Sequence, residues 1–273
     1  MIWESIELSF NRALQDSISK KKILFTCPLL ILCGLIFVIC RTIAMNSGSW
    51  IKLFLGFFPF FLSFGVLLGA GVVLIKAYYA EQKKEEHSFK KIILQSYQMI
   101  MNIAYLALPF IMAYIAIWIV LGIFYLLKSI PFLGSLLGPM LAFIPFMLIL
   151  TAMLLGLSTV FFLFFATPEA ALKTGLKWIL IKKTAVRVKK SLFTDLISIL
   201  LSLIPLFISL GLLYGSSWIV STIFFEGASE VSFAFESLFM MIPFCFLLTP
   251  SVIFFFNFSA ESFLLDQKEE LAA

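Results

Sequence analysis

The chain has 273 residues, 62% of them hydrophobic and 13% charged, with a formal net charge of +5 and a mean hydropathy of +1.09. Water-soluble domains are roughly a quarter charged, so this composition excludes a soluble globule and calls for a bilayer as the solvent. The basic residues stand beside apolar runs, where membrane orientation and anionic lipid head groups explain them better than nucleic acid does.

The N-terminal segment comes first. Trp3, Ile6, Phe10, Ala13 and Leu14 share one helical face, with Glu4, Arg12 and Asp16 elsewhere. That spacing predicts an amphipathic helix lying in the membrane interface, apolar side down. Six apolar runs follow, at about 23–40, 53–75, 103–127, 140–166, 197–222 and 238–258. Each is long enough to cross, since roughly 20 helical residues span the hydrocarbon. The first run is read as a retained helix and not a secretory signal. Its charged lead is too long, and Arg41 stands where a small-residue cleavage site would be needed.

Seventeen basic residues fall in the N-terminal segment, the even-numbered connections and the C-terminal segment, against Arg41, Lys52 and Lys128 on the other side. This positive-inside bias predicts both terminal segments on the cytoplasmic face. The third external connection carries Glu226, Glu230 and Glu236 and no basic residue.

A proline lies near the start of every predicted span: Pro28, Pro59, Pro109, Pro145, Pro205 and Pro243. Each removes a backbone hydrogen bond and is expected to kink its helix. The carbonyl it frees must find a hydroxyl, a neighbouring helix or water. Five of the ten prolines precede Phe, and "ELSFNRAL" (7–14), "EHSFKKII" (86–93) and "EAALKTGL" (169–176) precede the odd-numbered spans with a shared pattern. The expectation is three repeated units, 1–80, 81–168 and 169–273, within one polytopic domain. Each unit would be an interfacial helix followed by a membrane hairpin.

Small residues four apart mark places where helices can approach closely. Gly65 and Gly69, Ala152 and Gly156, and Gly211 and Gly215 form such pairs; internal crossings are the expected use, with a seam between two copies as the alternative. "SIPFLGSLLGP" (129–139) is either a re-entrant turn or a tight apolar loop. Cys27, Cys33, Cys40 and Cys245 lie in apolar runs without CxxC spacing, so neither a disulfide framework nor a zinc site is expected.

Ionisable groups within a bilayer ordinarily mark a transport path. Arg41 and Asp195 stand at span ends, where snorkelling or capping explains them, and Asn102 and Asn257 are placed to hydrogen-bond between helices. No carboxylate falls at mid-span, which disfavours coupling through a buried acid. The one histidine, His87, lies beside Glu85 and Glu86 in a charged connection. No HExxH, GxSxG or phosphate-cradling loop occurs, and no cofactor is expected.

The passage "FFATPEAALKTGLKWILIKK" (164–183) ends a span in a Pro-Glu element and continues into a basic helix. Through Pro168, Glu169, Ala171, Leu172, Gly175, Leu176, Trp178 and Ile179 it resembles the polytopic membrane domain that precedes the catalytic barrel in some bacterial glycerophosphodiester phosphodiesterases, and that domain's stand-alone relatives. The resemblance implies a bacterial cytoplasmic membrane protein of similar architecture. It implies no phosphodiesterase activity, because nothing in the chain forms the soluble barrel.

The sequence therefore predicts an all-α integral membrane bundle of six spans with basic amphipathic interfacial helices. Its expected role is non-enzymatic, membrane-organising or lipid-associated, with anionic head groups, another membrane protein or a second copy as partners. The alternative is a transporter for an uncoupled or lipidic solute, and an intramembrane enzyme ranks below both. A transporter requires a solvated cavity between the helices, reached from one side.

Overall fold

The computed structural model describes residues 2–83, 89–128, 130, 138–172, 192–224 and 230–272. Among these residues the chain is helical, with no strand. Helix α1 (Ile2–Gln15) leads through a 3-10 turn (Asp16–Ile18) and the extended Ser19 into α2 (Lys20–Met45). Then come α3 (Ser49–Gln82), α4 (Phe89–Ala104), a second 3-10 turn (Tyr105–Ala107) and α5 (Leu108–Lys128). Helices α6 (Gly138–Leu172), α7 (Leu192–Phe224) and α8 (Glu230–Ala272) complete the chain.

Among the described residues six helical segments are long and apolar enough to cross a membrane. They pack as the hairpins α2–α3, α5–α6 and α7–α8. Helix α3 is the axis: 67% of its most apolar stretch is buried, against 17% to 39% in the other five. It touches α2, α4, α5, α6 and α8. Helix α8 closes the bundle against α1, α2, α3, α6 and α7. Because α1 packs on the C-terminal half of α8, both terminal segments share one end of the molecule, here the terminal end. Arg41 and Lys52 lie towards the far end.

The two described amphipathic helices are built alike. A helix of 14 or 16 residues, a three-residue 3-10 turn and a membrane-length helix follow one another in α1–α2 and again in α4–α5. Glu169, expected to open a third such helix, instead lies in the last turn of α6; most of the segment expected to play this part before α7 lies outside the described residues, as do His87 and most of 129–139.

Three expectations change. Pro109 marks a break and not a kink within one helix: it is the second residue of α5, directly after the 3-10 turn that interrupts the apolar run Lys91–Leu127. Pro28, Pro59, Pro145, Pro205 and Pro243 do lie inside helices, as do Pro168 and Pro250. Second, the apolar face of α1 meets protein in place of lipid. Ile6 and Ala13 are buried, and the Phe10 ring lies edge-on to Phe254 and Phe258 at 5.0 and 5.9 Å. Among the described side chains of that face only Leu14 stays exposed. Third, Gly211 and Gly215 make no crossing, since a methyl group built on either meets no described atom within 4 Å.

Gly65 and Gly69 do face a neighbour. Cβ atoms there would lie 3.3 Å from Ala107 Cβ and 2.9 Å from Ile100 Cγ2, so glycine lets α4 and its 3-10 turn lie directly on α3. Ala152 is buried with Phe61, Tyr114, Trp118 and Leu121 in an aromatic cluster among α3, α5 and α6. The prolines find the expected compensation in one clear instance. Pro168 has no N–H for the Phe164 carbonyl, and Ser259 Oγ of α8 donates to that carbonyl instead.

Candidate functional site

The hairpins enclose a cavity of about 780 Å³ walled by α2, α3, α6, α7 and α8. Known ligand sites fall at ≈ 300–1,000 Å³. Its walls are aliphatic and aromatic, including Leu30, Leu67, Val160, Leu206 and Leu248. Phe64, Phe255 and Phe256 form its inner end. Beneath them, Phe164 packs against Phe255 with ring centroids 5.6 Å apart, and Gly71 lets the Phe256 ring and Thr167 pack tightly against α3. The inner end is therefore sealed by protein.

The outer end differs in character. Arg41, near the end of α2, and Lys52, in the first turn of α3, line the cavity there. Both residues are exposed. The described lining includes no acidic side chain; Glu236 precedes the lining Ser237 on α8 but is not itself part of the wall. Cys33 and Cys245 are wall residues, which gives two of the four cysteines an environment that the sequence did not suggest. Cys245 Sγ donates to the Leu30 carbonyl at 3.3 Å and so fixes α8 against α2.

A second feature lies at the terminal end. Glu261, almost fully buried on α8, accepts from Tyr78 OH at 2.7 Å and from Ser9 Oγ at 3.3 Å. Gln82 Nε2 reaches Tyr78 OH at 3.2 Å and Asp16 Oδ2 at 3.4 Å. Lys22 is wholly buried, with its ammonium 2.6 Å from Glu81 Oε2 and 5.0 Å from the centre of the Tyr78 ring. This cluster joins α1, the first 3-10 turn, α2, α3 and α8. Each charged member has a partner, as burial away from water demands. It is a structural clasp, and it places Lys22, which the sequence offered only as one of the seventeen basic residues, in the protein interior.

The residues singled out from the sequence do not converge on one site. Arg41 joins the cavity. Asp195 is buried in the first turn of α7, and Glu169 is buried near the end of α6. Asn257 is fully buried on α8, and neither of its amide atoms meets a hydrogen-bond partner among the described residues. Asn102 stands on the exposed face of α4. Among the described residues no group of three His, Cys, Asp or Glu side chains is arranged to hold a metal ion.

Sequence reasoning missed Lys22, Tyr78, Glu81 and Glu261 as a unit. They are distant in the chain and belong to ordinary span-end composition. Lys52 was noted only in the charge count. Its role at the cavity follows from α2 and α3 forming a tight hairpin, which brings Arg41 and Lys52 to one rim. No family model, curated protein or solved structure matches the chain.

Proposed function

We propose that this chain is a non-enzymatic, lipid-associated multi-pass protein of the bacterial cytoplasmic membrane, with its terminal end facing the cytoplasm. The observation that carries the reading is the cavity: apolar walls, a sealed inner end and an outer end lined by two basic residues. Hydrocarbon fits those walls, and a polar solute would lose its hydration there without regaining hydrogen bonds. The positive-inside bias supports the orientation. The resemblance carried by residues 164–183 supports the compartment.

The sealed inner end favours binding over transport. A permease for a polar solute needs a hydrated passage, whereas the seal of Phe164, Phe255 and Phe256 is packed aromatic carbon.

Native mass spectrometry of the protein in mild detergent tests the reading. Gly56 lines the cavity, and a Cβ added there meets no atom within 4 Å. Gly56→Phe therefore puts a ring into the open space without displacing a helix. Gly211→Phe, equally free of neighbours but not part of the wall, is the control. Wild type and Gly211→Phe should retain bound lipid, and Gly56→Phe should lose it. A wild-type protein free of lipid, or equal lipid on all three, defeats the proposal.

A further inference from the structure

The cavity has an outer rim, a depth and an unpacked side, and together these define its occupant more closely. Along α3 the wall runs from Lys52 to Leu67, which is about 22 Å at 1.5 Å per residue. A lipid tail reaches from the interface to the bilayer midplane, roughly half of a ~30 Å hydrocarbon core. The cavity is deep enough to take a whole tail.

The side wall is the second observation. Helix α7 packs along α8, with Ser209 Oγ and Ser251 Oγ 2.7 Å apart and Ser251 Oγ donating to the Pro205 carbonyl at 3.2 Å. Helix α6 packs on α3 and α5. Yet α6 and α7 both line the cavity, through Val160 and Leu163 on one and Leu206 and Leu210 on the other, without a packed seam between them among the described residues. A gap between two membrane-spanning helices opens on hydrocarbon when the bundle lies in a bilayer. A lipid tail can cross it without any polar group leaving the interface, which entry from the aqueous end would not allow.

The third observation is the charge of the rim. Arg41 and Lys52 are the charged groups of the described lining. They stand at the end that an interfacial head group occupies while its tail lies in the hydrocarbon.

Resting on the lipid-binding reading above, we infer that the occupant is an anionic membrane lipid that enters sideways between α6 and α7. Its head group lies at Arg41 and Lys52, and one acyl tail extends to Phe255 and Phe256. An anionic head group suits a rim whose charged lining residues are both basic, and the apolar walls supply the tail site. The closed inner end makes this a holding site filled from the leaflet at the far end.

The experiment uses full-length protein in nanodiscs with two fluorescent probes of identical acyl chains, phosphatidylglycerol and phosphatidylcholine. The wild type should prefer phosphatidylglycerol. A basic side chain near an anionic head group contributes about five-fold in affinity, so Lys52→Gln should cut the preference for phosphatidylglycerol over phosphatidylcholine by about that factor. Lys52→Arg should keep it. Leu210→Trp, which adds bulk at the open side, should slow probe exchange several-fold with the head-group preference intact. Equal binding of both probes overturns this inference and leaves lipid binding standing. Exchange unaffected by Leu210→Trp overturns the lateral route. No saturable binding of either probe by wild-type protein overturns both this inference and the reading beneath it.

Discussion

The buried ion pair between Lys22 and Glu81 predicts an unequal response to losing either partner. Lys22 is 0% exposed while the Glu81 side chain is 42% exposed, and the two charged atoms are 2.6 Å apart. Replacing Glu81 with leucine leaves an ammonium in the protein interior without its counter-charge. Breaking buried pairs in this way costs 3–5 kcal/mol. Water can reach the Glu81 side, and the Tyr78 ring still attracts the cation, so the lower end, about 3 kcal/mol, applies. Lys22→Met instead removes the deeply buried charge and keeps most of the packed stem. Glu81 then hydrates, and the loss should be about 1 kcal/mol or less, typical of a partly exposed pair. Lys22→Met/Glu81→Leu should be no worse than Lys22→Met alone, a loss of about 1 kcal/mol, giving a coupling of about 3 kcal/mol in the double-mutant cycle. Thermal unfolding in detergent, read by a thiol-reactive dye, suits the assay, because Cys33, Cys40 and Cys245 are buried in the folded protein. Lys22→Met proving as damaging as Glu81→Leu, or strictly additive effects, would refute the argument.

Two further predictions concern helix packing. Ser259→Ala should destabilise by about 1–3 kcal/mol, the cost of a buried acceptor left unpaired, because Ser259 serves the Phe164 carbonyl that Pro168 cannot. Pro168→Ala in the same background restores an N–H and should recover most of that loss; no recovery in unfolding experiments would show that the hydroxyl has another role. Gly71→Ala should cost about 1–3 kcal/mol through overpacking, since its Cβ would run into the Phe256 ring and Thr167 Cγ2. Gly211→Ala meets nothing within 4 Å and should stabilise the helix by about 0.5–1 kcal/mol. A reversed order of the two alanine variants in the same unfolding assay would contradict the packing described here.

The cavity and the clasp place opposite demands on the same bundle. At the terminal end, polar side chains from five elements meet and are paired. Towards the far end, α6 and α7 part and leave a space that the seal beneath keeps from extending through the molecule. The prolines serve this division locally. Pro168 frees a carbonyl at the seal, and the Pro205 carbonyl takes the serine contact that fixes α7 to α8.

What was legible in the residues is the solvent, the number of spans and the amphipathic character of α1 and α4. These depend on composition and on periodicities of three to four residues, both local properties. Residues 164–183 carried a resemblance, but half of the residues behind it lie outside the described structure. The glycine pairs show the limit of local reading. Gly65 and Gly69 have the same spacing as Gly211 and Gly215, yet only the first pair meets a helix. Spacing shows which residues share a face and is silent on what that face will touch.

By itself the sequence determined that the chain belongs in hydrocarbon, as six apolar helices with basic connections, because each helix must satisfy its backbone internally and each charge must reach water or a head group. Only the tertiary structure decided which charges would do neither. Lys22 and Glu261 are buried because α1, α2, α3 and α8 converge on them. Arg41 and Lys52 flank one opening because a tight hairpin joins their helices, and the pairing of Lys22 with Glu81 and of Glu261 with Tyr78, far apart in the chain, leaves no mark on local pattern.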